Sequence, residues 1–278
     1  MIKLDVNGYI KVLEPLKALE INTLFAQAVI HRQIPGTVYV DNIKDPEAFY
    51  IAHPYGMSLL FGEVNNENFI GGLEQYLFNL NKERDKSEWL QGFPCAWSEI
   101  IDKLAGSSLT ESSNVGKGTP ENKAQVIKHT RVNFKFDKNR YLEIKQQLES
   151  SPGNLVKTTA EMFKKITGTV VPAFFWTDGN DFETNGAGYS LLYNGEIAAT
   201  AFSAFLLDGK LEIGIETSDK YRGKGFAVLV CSALIDYCLM NGLEPVWACR
   251  LGNTASYQLA QKLGFVPTIN IPYYQLPV

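Results

Sequence analysis

Apolar positions near the start of the chain fall at helical spacing. Leu13, Leu16, Leu19, Leu24, Phe25, Ala28 and Val29 form one face that stops before Pro35-Gly36, which predicts one or two short helices. Three short strand-like runs follow, Thr37 to Val40, Phe49 to Ala52 and Ser58 to Gly62, separated by Asp45-Pro46 and Pro54-Tyr55-Gly56, and they predict a small antiparallel sheet. Asn68 to Leu80 reads as an amphipathic helix, whereas Trp89 to Leu104 reads equally as strand or helix. Gly106 to Pro120, rich in Ser, Gly, Thr and Asn, reads as a loop. Alternation of Val132, Phe134 and Phe136 with Asn133, Lys135 and Asp137 predicts a half-buried strand within 123–140. Tyr141 to Leu148 is helical in pattern, Ser151-Pro152-Gly153-Asn154 breaks the chain, and Leu155 to Ile166 reads as a helix ending at Gly168. The break places a domain junction at about residue 150, giving a smaller N-terminal α+β domain (1–150) and a C-terminal domain (151–278).

The pattern sharpens from Gly188. Tyr189 to Tyr193 and Glu196 to Phe205 flank Asn194-Gly195, a dipeptide that tolerates the positive φ of a tight hairpin turn. A third strand, Lys210 to Thr217, leads through Arg222-Gly223-Lys224-Gly225 into a helix whose apolar residues repeat at three and four up to about Met240. Pro245 to Arg250 reads as a strand, Thr254 to Leu263 as a helix and Phe265 onward as a last strand. The fold class is therefore α/β in the broad sense (α+β), with a mixed, mostly antiparallel sheet flanked by helices in the C-terminal domain.

Composition narrows the function classes. A net charge of −4 supplies no basic stripe for phosphate backbones, which argues against nucleic acid as a partner. No run approaches the roughly 20 apolar residues that span a bilayer, so no membrane partner is expected. Cys95, Cys231, Cys238 and Cys249 form no CxxC pair and no secretory leader is visible, which fits reduced thiols in a cytoplasmic protein, and no metal site is expected. Cys231 and Cys238 share a helix face with Leu234 and read as core. Gly116-Lys117-Gly118-Thr119 lacks the span of a nucleotide-binding P-loop and reads as a turn. His31, His53 and His129 are isolated and read as structural or exposed.

A strand that feeds a glycine-bearing turn at the start of a helix gathers main-chain N–H groups and the positive end of the helix dipole at one point. Gly223 and Gly225 let a phosphate approach the backbone, and Arg222 and Lys224 add positive charge; an ordinary exposed turn is the other reading of the same residues.

Arg222-x-x-Gly225-x-Ala227 resembles the Arg/Gln-x-x-Gly-x-Gly/Ala signature of the GNAT acetyltransferase superfamily. Asn253-x-x-Ser256, followed by Leu263-Gly264-Phe265, resembles the second cofactor-binding segment of that superfamily, and the likeness covers about 155–278. The run from Glu212 to Thr217, joined to Tyr221 to Gly225, is more narrowly similar to the zwittermicin-resistance type, which carries an N-terminal extension. The resemblance implies an acyl-CoA-dependent N-acetyltransferase that uses acetyl-CoA as acyl donor. It implies that Ile215 and Thr217 pair with the pantetheine arm, that the amides of Gly223, Lys224, Gly225, Phe226 and Ala227 hold the pyrophosphate beside Arg222, and that Asn253 and Ser256 face the coenzyme. Helix capping is the alternative role of Asn253. The strand through Val246 is expected to diverge from that through Ile215, opening a wedge for the thioester.

Direct attack by an amine in a ternary complex needs a base and an oxyanion donor. Glu212 and Glu216, at period two, share a strand face and are the candidates for base or for binding a cationic substrate; solvated or lysine-paired carboxylates are the other reading. The usual general acid of the superfamily is a tyrosine seven residues after the asparagine, where this chain has Ala260; Tyr257, one turn away, is the candidate substitute, with Tyr193 or water as other proton sources. The loop from Trp176 to Gly188 offers Asp178, Asp181 and Glu183 to a polyamine or aminopolyol, or simply to solvent. The acceptor is expected to be an amine of a small molecule, which allows a role in antibiotic resistance; a protein or peptide acceptor and a noncatalytic acyl-CoA sensor are the alternatives. A homodimer is allowed. The N-terminal domain reads as a degenerate copy of the same fold or as a lid.

Overall fold

The computed structural model describes residues 1–114, 125–147 and 153–278. The Gly116 to Thr119 turn, Leu148 and the proposed junction at residue 150 lie outside the described residues. Contacts divide the chain into two units: Met1–Val132 with Arg250–Gly252 and Ile269–Val278, and Asn133–Cys249 with Asn253–Thr268.

The first unit begins with β1 (Ile2–Lys3), α1 (Ile10–Lys17) and α2 (Leu24–Ile30), followed by β2 (Thr37–Val40), β3 (Ala48–His53) and β4 (Met57–Gly62). These four strands are antiparallel neighbours in sequence order. Helix α3 (Glu67–Leu77) then crosses to β5 (Glu88–Phe93), which runs parallel to β4, and α4 (Ala96–Ala105) follows. The stretch that the sequence left undecided is thus a strand and then a helix. Strand β6 (Leu109–Glu111) pairs with the start of β7 (Val126–Phe136). One face of the sheet, with Tyr50, Leu60 and Leu90, packs under Phe69 and Leu73 of α3 and Trp97 and Ile101 of α4. On β3 and β4, Phe49 and Phe61 stack with centroids 4.8 Å apart.

The second unit starts with the end of β7 and α5 (Lys138–Lys145), and continues through β8 (Asn154–Lys157), α6 (Ala160–Phe163), α7 (Gly179–Asn185), β9 (Gly188–Tyr193), β10 (Glu196–Leu207) and β11 (Lys210–Thr217). The helix expected over Leu155 to Ile166 is a correction: Asn154–Lys157 pairs antiparallel with β9, and the helix begins only after Thr159, whose hydroxyl accepts the Met162 N–H at 3.3 Å. Pairing with a neighbouring strand outweighs the local spacing. A hydroxyl ladder, Thr158 to Ser190 at 2.9 Å and Ser190 to Thr200 at 2.8 Å, satisfies the buried polar groups beneath this pairing.

After β11 come α8 (Phe226–Met240), β12 (Glu244–Arg250), α9 (Thr254–Lys262) and β13 (Phe265–Leu276). Strands β8 to β11 are antiparallel neighbours and β12 runs parallel to β11, as the mixed, mostly antiparallel sheet required. Helix α8 packs across β9, β10 and β11 and buries Val230, Cys231, Leu234, Ile235 and Cys238. No helix among the described residues is long and apolar enough to cross a membrane.

Candidate functional site

Parallel pairing of β11 with β12 begins at Lys210↔Glu244 and ends at Glu212↔Val246. Both strands continue, β11 to Thr217, so the edge of β11 from Ile213 onward has no registered partner on the β12 side. Main-chain groups freed in this way can pair with an extended ligand. At the far end of β11 a cavity of about 540 Å³ opens, lined by Ile215, Glu216 and Thr217 of the strand.

The turn after β11 forms the next wall. Arg222, Gly223, Gly225, Phe226 and Ala227 line the cavity. Gly223 and Gly225 both have φ of +78°, a left-handed conformation that disfavours any side chain, and a Cβ at either would meet nothing within 4 Å. The left-handed conformation explains these glycines; packing does not. Gly225 is the N-cap of α8, makes no side-chain cap, and the first turn carries no acidic residue. The Val228 N–H bonds to the Gly225 carbonyl at 3.1 Å, and among the described residues no side chain caps the N–H groups of Phe226 and Ala227, which can therefore serve an acceptor from outside the protein.

Arg222 is tied by its guanidinium to Asp219 at 2.9 Å and to the Thr217 carbonyl at 3.3 Å, with the Glu216 carboxylate 3.7 Å away. Lys224 does not line the cavity: its ammonium lies 5.3 Å from the ring centre of Tyr221 and 5.6 Å from that of Tyr193, so only its main chain belongs to the turn. Tyr193 is packed against Tyr221 and Phe226 rather than in the cavity. The Tyr221 phenol donates to Glu196 at 2.8 Å, and that bond raises its pKa above the ordinary phenol value.

Asn253 and Ser256 close the cavity from α9. Asn253 is the N-cap, its side-chain oxygen accepting the Ser256 N–H at 3.2 Å, while the Ser256 hydroxyl accepts from the Trp247 indole at 3.2 Å. Gln258, Leu259 and Lys262 extend the lining along the same helix.

The two candidate glutamates separate in role. Both are buried, and Phe202 lies over Gly214 between them. Glu216 uses one carboxylate oxygen to accept the N–H of Thr169 at 2.7 Å, the N–H of Val170 at 2.9 Å and the Thr169 hydroxyl at 3.2 Å. Thr169 and Val170 are themselves cavity wall, and Gly168 comes so close that a Cβ there would sit 2.4 Å from the Glu216 carboxyl carbon. Glu216 thus fastens the wall of the cavity. Glu212 stands at the last registered pair, where β11 and β12 part, and does not line the cavity. Tyr257 does not line it either: its ring packs edge-on against Phe134 with centroids 5.3 Å apart. Ala260 is fully buried.

The acidic segment from Trp176 to Gly188 holds a helix, where a loop was expected. Asp178 caps α7 by accepting from Asn180 and Asp181, and Glu183 accepts the N–H of Ala160 at 2.8 Å, so these carboxylates serve the local backbone. Thr169, Val170 and Lys262 were not anticipated. The only signal for the first two was the glycine before them.

Residues 14–274 match the GNAT acetyltransferase family. The uncharacterized N-acetyltransferase YdfB of Bacillus subtilis (strain 168) is 24% identical over 244 residues, which cover 87% of this chain and 85% of that protein. A GCN5-related N-acetyltransferase-like protein from Streptococcus suis 89/1591 has the same fold, with a TM-score of 0.71 and 19% identity over 98% of this chain and 100% of that one. A tandem GNAT protein from the clavulanic acid biosynthesis pathway aligns with a TM-score of 0.64 and 10% identity, covering 99% and 97% of the two chains. The strand, glycine turn and helix of the second unit thus lie within a chain that belongs to the GNAT acetyltransferase family.

Proposed function

We propose that acetyl-CoA occupies the cavity of the second unit as acyl donor and that the enzyme, cytoplasmic with its four cysteines as free thiols, moves the acetyl group to an amine of a small molecule. The observation that carries this reading is the start of α8: a left-handed Gly225, no side-chain cap, no acidic residue in the first turn and open space at both glycines. The amides of Gly223 to Ala227 would hold the pyrophosphate beside Arg222, and the free edge of β11 at Ile215 and Thr217 would pair with the pantetheine arm. Asn253 and Ser256 would line the same arm, and Lys262 extends the positive charge along α9.

In the ternary complex the neutral amine attacks the thioester carbonyl. A new C–N bond forms, the C–S bond breaks, the amine proton leaves to a base and the thiolate of coenzyme A takes a proton from water. Glu212, buried where β11 and β12 part, and Glu216, which lines the cavity and holds the Thr169 and Val170 N–H groups with one oxygen, are the candidate bases. The narrower likeness to zwittermicin-resistance proteins supports an aminopolyol acceptor and a resistance role. Thiol release from acetyl-CoA with a panel of amines tests the reading: amine-dependent release is expected with small amines, and release with none would sink it.

One observation favours a second reading, a noncatalytic acyl-CoA sensor. The position of the usual tyrosine is the buried Ala260, and Tyr257 is packed on Phe134. Coenzyme binding without turnover would select it.

The first unit repeats the order of the second: β2, β3, β4, α3, β5 and α4 match β9, β10, β11, α8, β12 and α9, including the parallel crossover. We read it as a degenerate copy without a donor site. Its crossover helix α3 is capped by Asn66, whose side chain accepts the Phe69 N–H at 3.0 Å, and carries Glu67 in its first turn, both unfavourable to a phosphate.

A further inference from the structure

The first unit contains a cavity of about 330 Å³, lined by residues that precede β4 and begin β5, at the end of these strands opposite the turn into α3. Glu88 forms its floor, 5% exposed, with one carboxylate oxygen accepting from the Tyr50 hydroxyl and the other from the Tyr76 hydroxyl at 3.0 Å. Glu83 stands exposed at its rim and accepts from the Tyr39 hydroxyl at 2.6 Å. Between rim and floor are the rings of Tyr39 and Tyr76, edge-on with centroids 5.6 Å apart.

Three carboxylates, Glu83, Asp85 and Glu88, line this cavity against two cations. Arg84 donates to the main-chain carbonyls of Tyr76, Leu77 and Pro277 and lies against the Tyr76 ring, and Lys86 donates to the Pro54 carbonyl. His53, also in the lining, is held neutral: burial, and then the nearby Lys86, lower its pKa to about 3. Burial first, and the adjoining carboxylates next, raise the pKa values of Tyr39 and Tyr76, so both phenols remain protonated donors. The hydrogen bonds from the tyrosines satisfy the carboxylate oxygens without cancelling their charge. A buried carboxylate in such a setting gains most from a cation, and electron-rich ring faces reinforce the same preference.

We propose that this cavity binds an organic ammonium ion, with Glu88 and Glu83 as counter-charges and Tyr39 as aromatic wall, the Tyr76 ring being already covered by Arg84. The site is separate from the acyl-donor cavity and does not depend on the acetyl-transfer reading. Isothermal titration of the full chain with putrescine, without coenzyme A and at physiological salt, tests it. Putrescine is expected to bind and its diol analogue is not. The exposed Glu83→Gln, which keeps an oxygen for Tyr39, and Tyr39→Leu are each expected to weaken putrescine binding about tenfold. Glu88→Gln is expected to abolish it, and Glu83→Gln keeps the test decisive should that buried variant fail to fold. Absence of putrescine binding, equal binding of the diol, or unchanged affinity in both Glu83→Gln and Tyr39→Leu would overturn the proposal.

Discussion

Glu216 accepts the main-chain N–H of Thr169 at 2.7 Å, and this bond ties the end of β11 to an irregular segment that walls the cavity. A carboxylate that gathers two N–H groups and a hydroxyl is a fastening, so its loss is felt in binding before chemistry. Glu216→Ala is expected to cost about 2–4 kcal/mol of stability and to raise KM for acetyl-CoA more than it lowers kcat. Urea unfolding and steady-state kinetics check this; a kcat loss with unchanged KM would instead make Glu216 the base.

Gly225→Ala places a methyl group on a left-handed residue whose Cβ direction is open. The strain is about 1–2 kcal/mol, and the N–H groups at the start of α8 shift with it. A small fall in melting temperature together with weaker coenzyme A binding is expected, read by thermal unfolding and calorimetry.

Tyr257→Phe keeps the contact with Phe134 and removes only the hydroxyl. Turnover within about twofold of the wild type is expected, measured by thiol release. Ala260→Tyr, by contrast, forces a large ring into a fully buried position and is expected to cost at least about 1–3 kcal/mol without raising kcat.

His53 gives a pH signature. Its folded pKa of about 3 lies below the ordinary value of 6.5, so the unfolded chain binds the extra proton between these limits and stability falls as the pH drops through that window. Between neutral pH and pH 5 the loss attributable to this residue is about 2 kcal/mol. Comparing the pH dependence of urea unfolding in wild type and His53→Asn isolates it, since carboxylates titrating in the same range remain in both.

The sequence carried the second unit well where local chemistry decides the conformation. Asn194-Gly195 turns the hairpin, and Gly223 and Gly225 mark the turn into α8 because few other residues accept a φ of +78°. The expected divergence of the strands past Val246 appears as the end of registered pairing. Long-range partners hid the rest. Leu155 and Val156 have helical company in sequence, yet β9 recruits them as a strand. Thr169 and Val170 became cavity wall through a bond to Glu216, far away in the chain. Tyr257 was one helical turn from the expected acid position, but Phe134 of β7 claims its ring.

The uncapped start of α8 makes the helix a built-in reporter. Donors that no side chain among the described residues caps exchange their protons with solvent readily, and an anion arriving there shields them. Hydrogen exchange at the amides of Phe226 and Ala227 should therefore slow when coenzyme A binds, while Phe69, whose N–H already bonds to Asn66, keeps its rate.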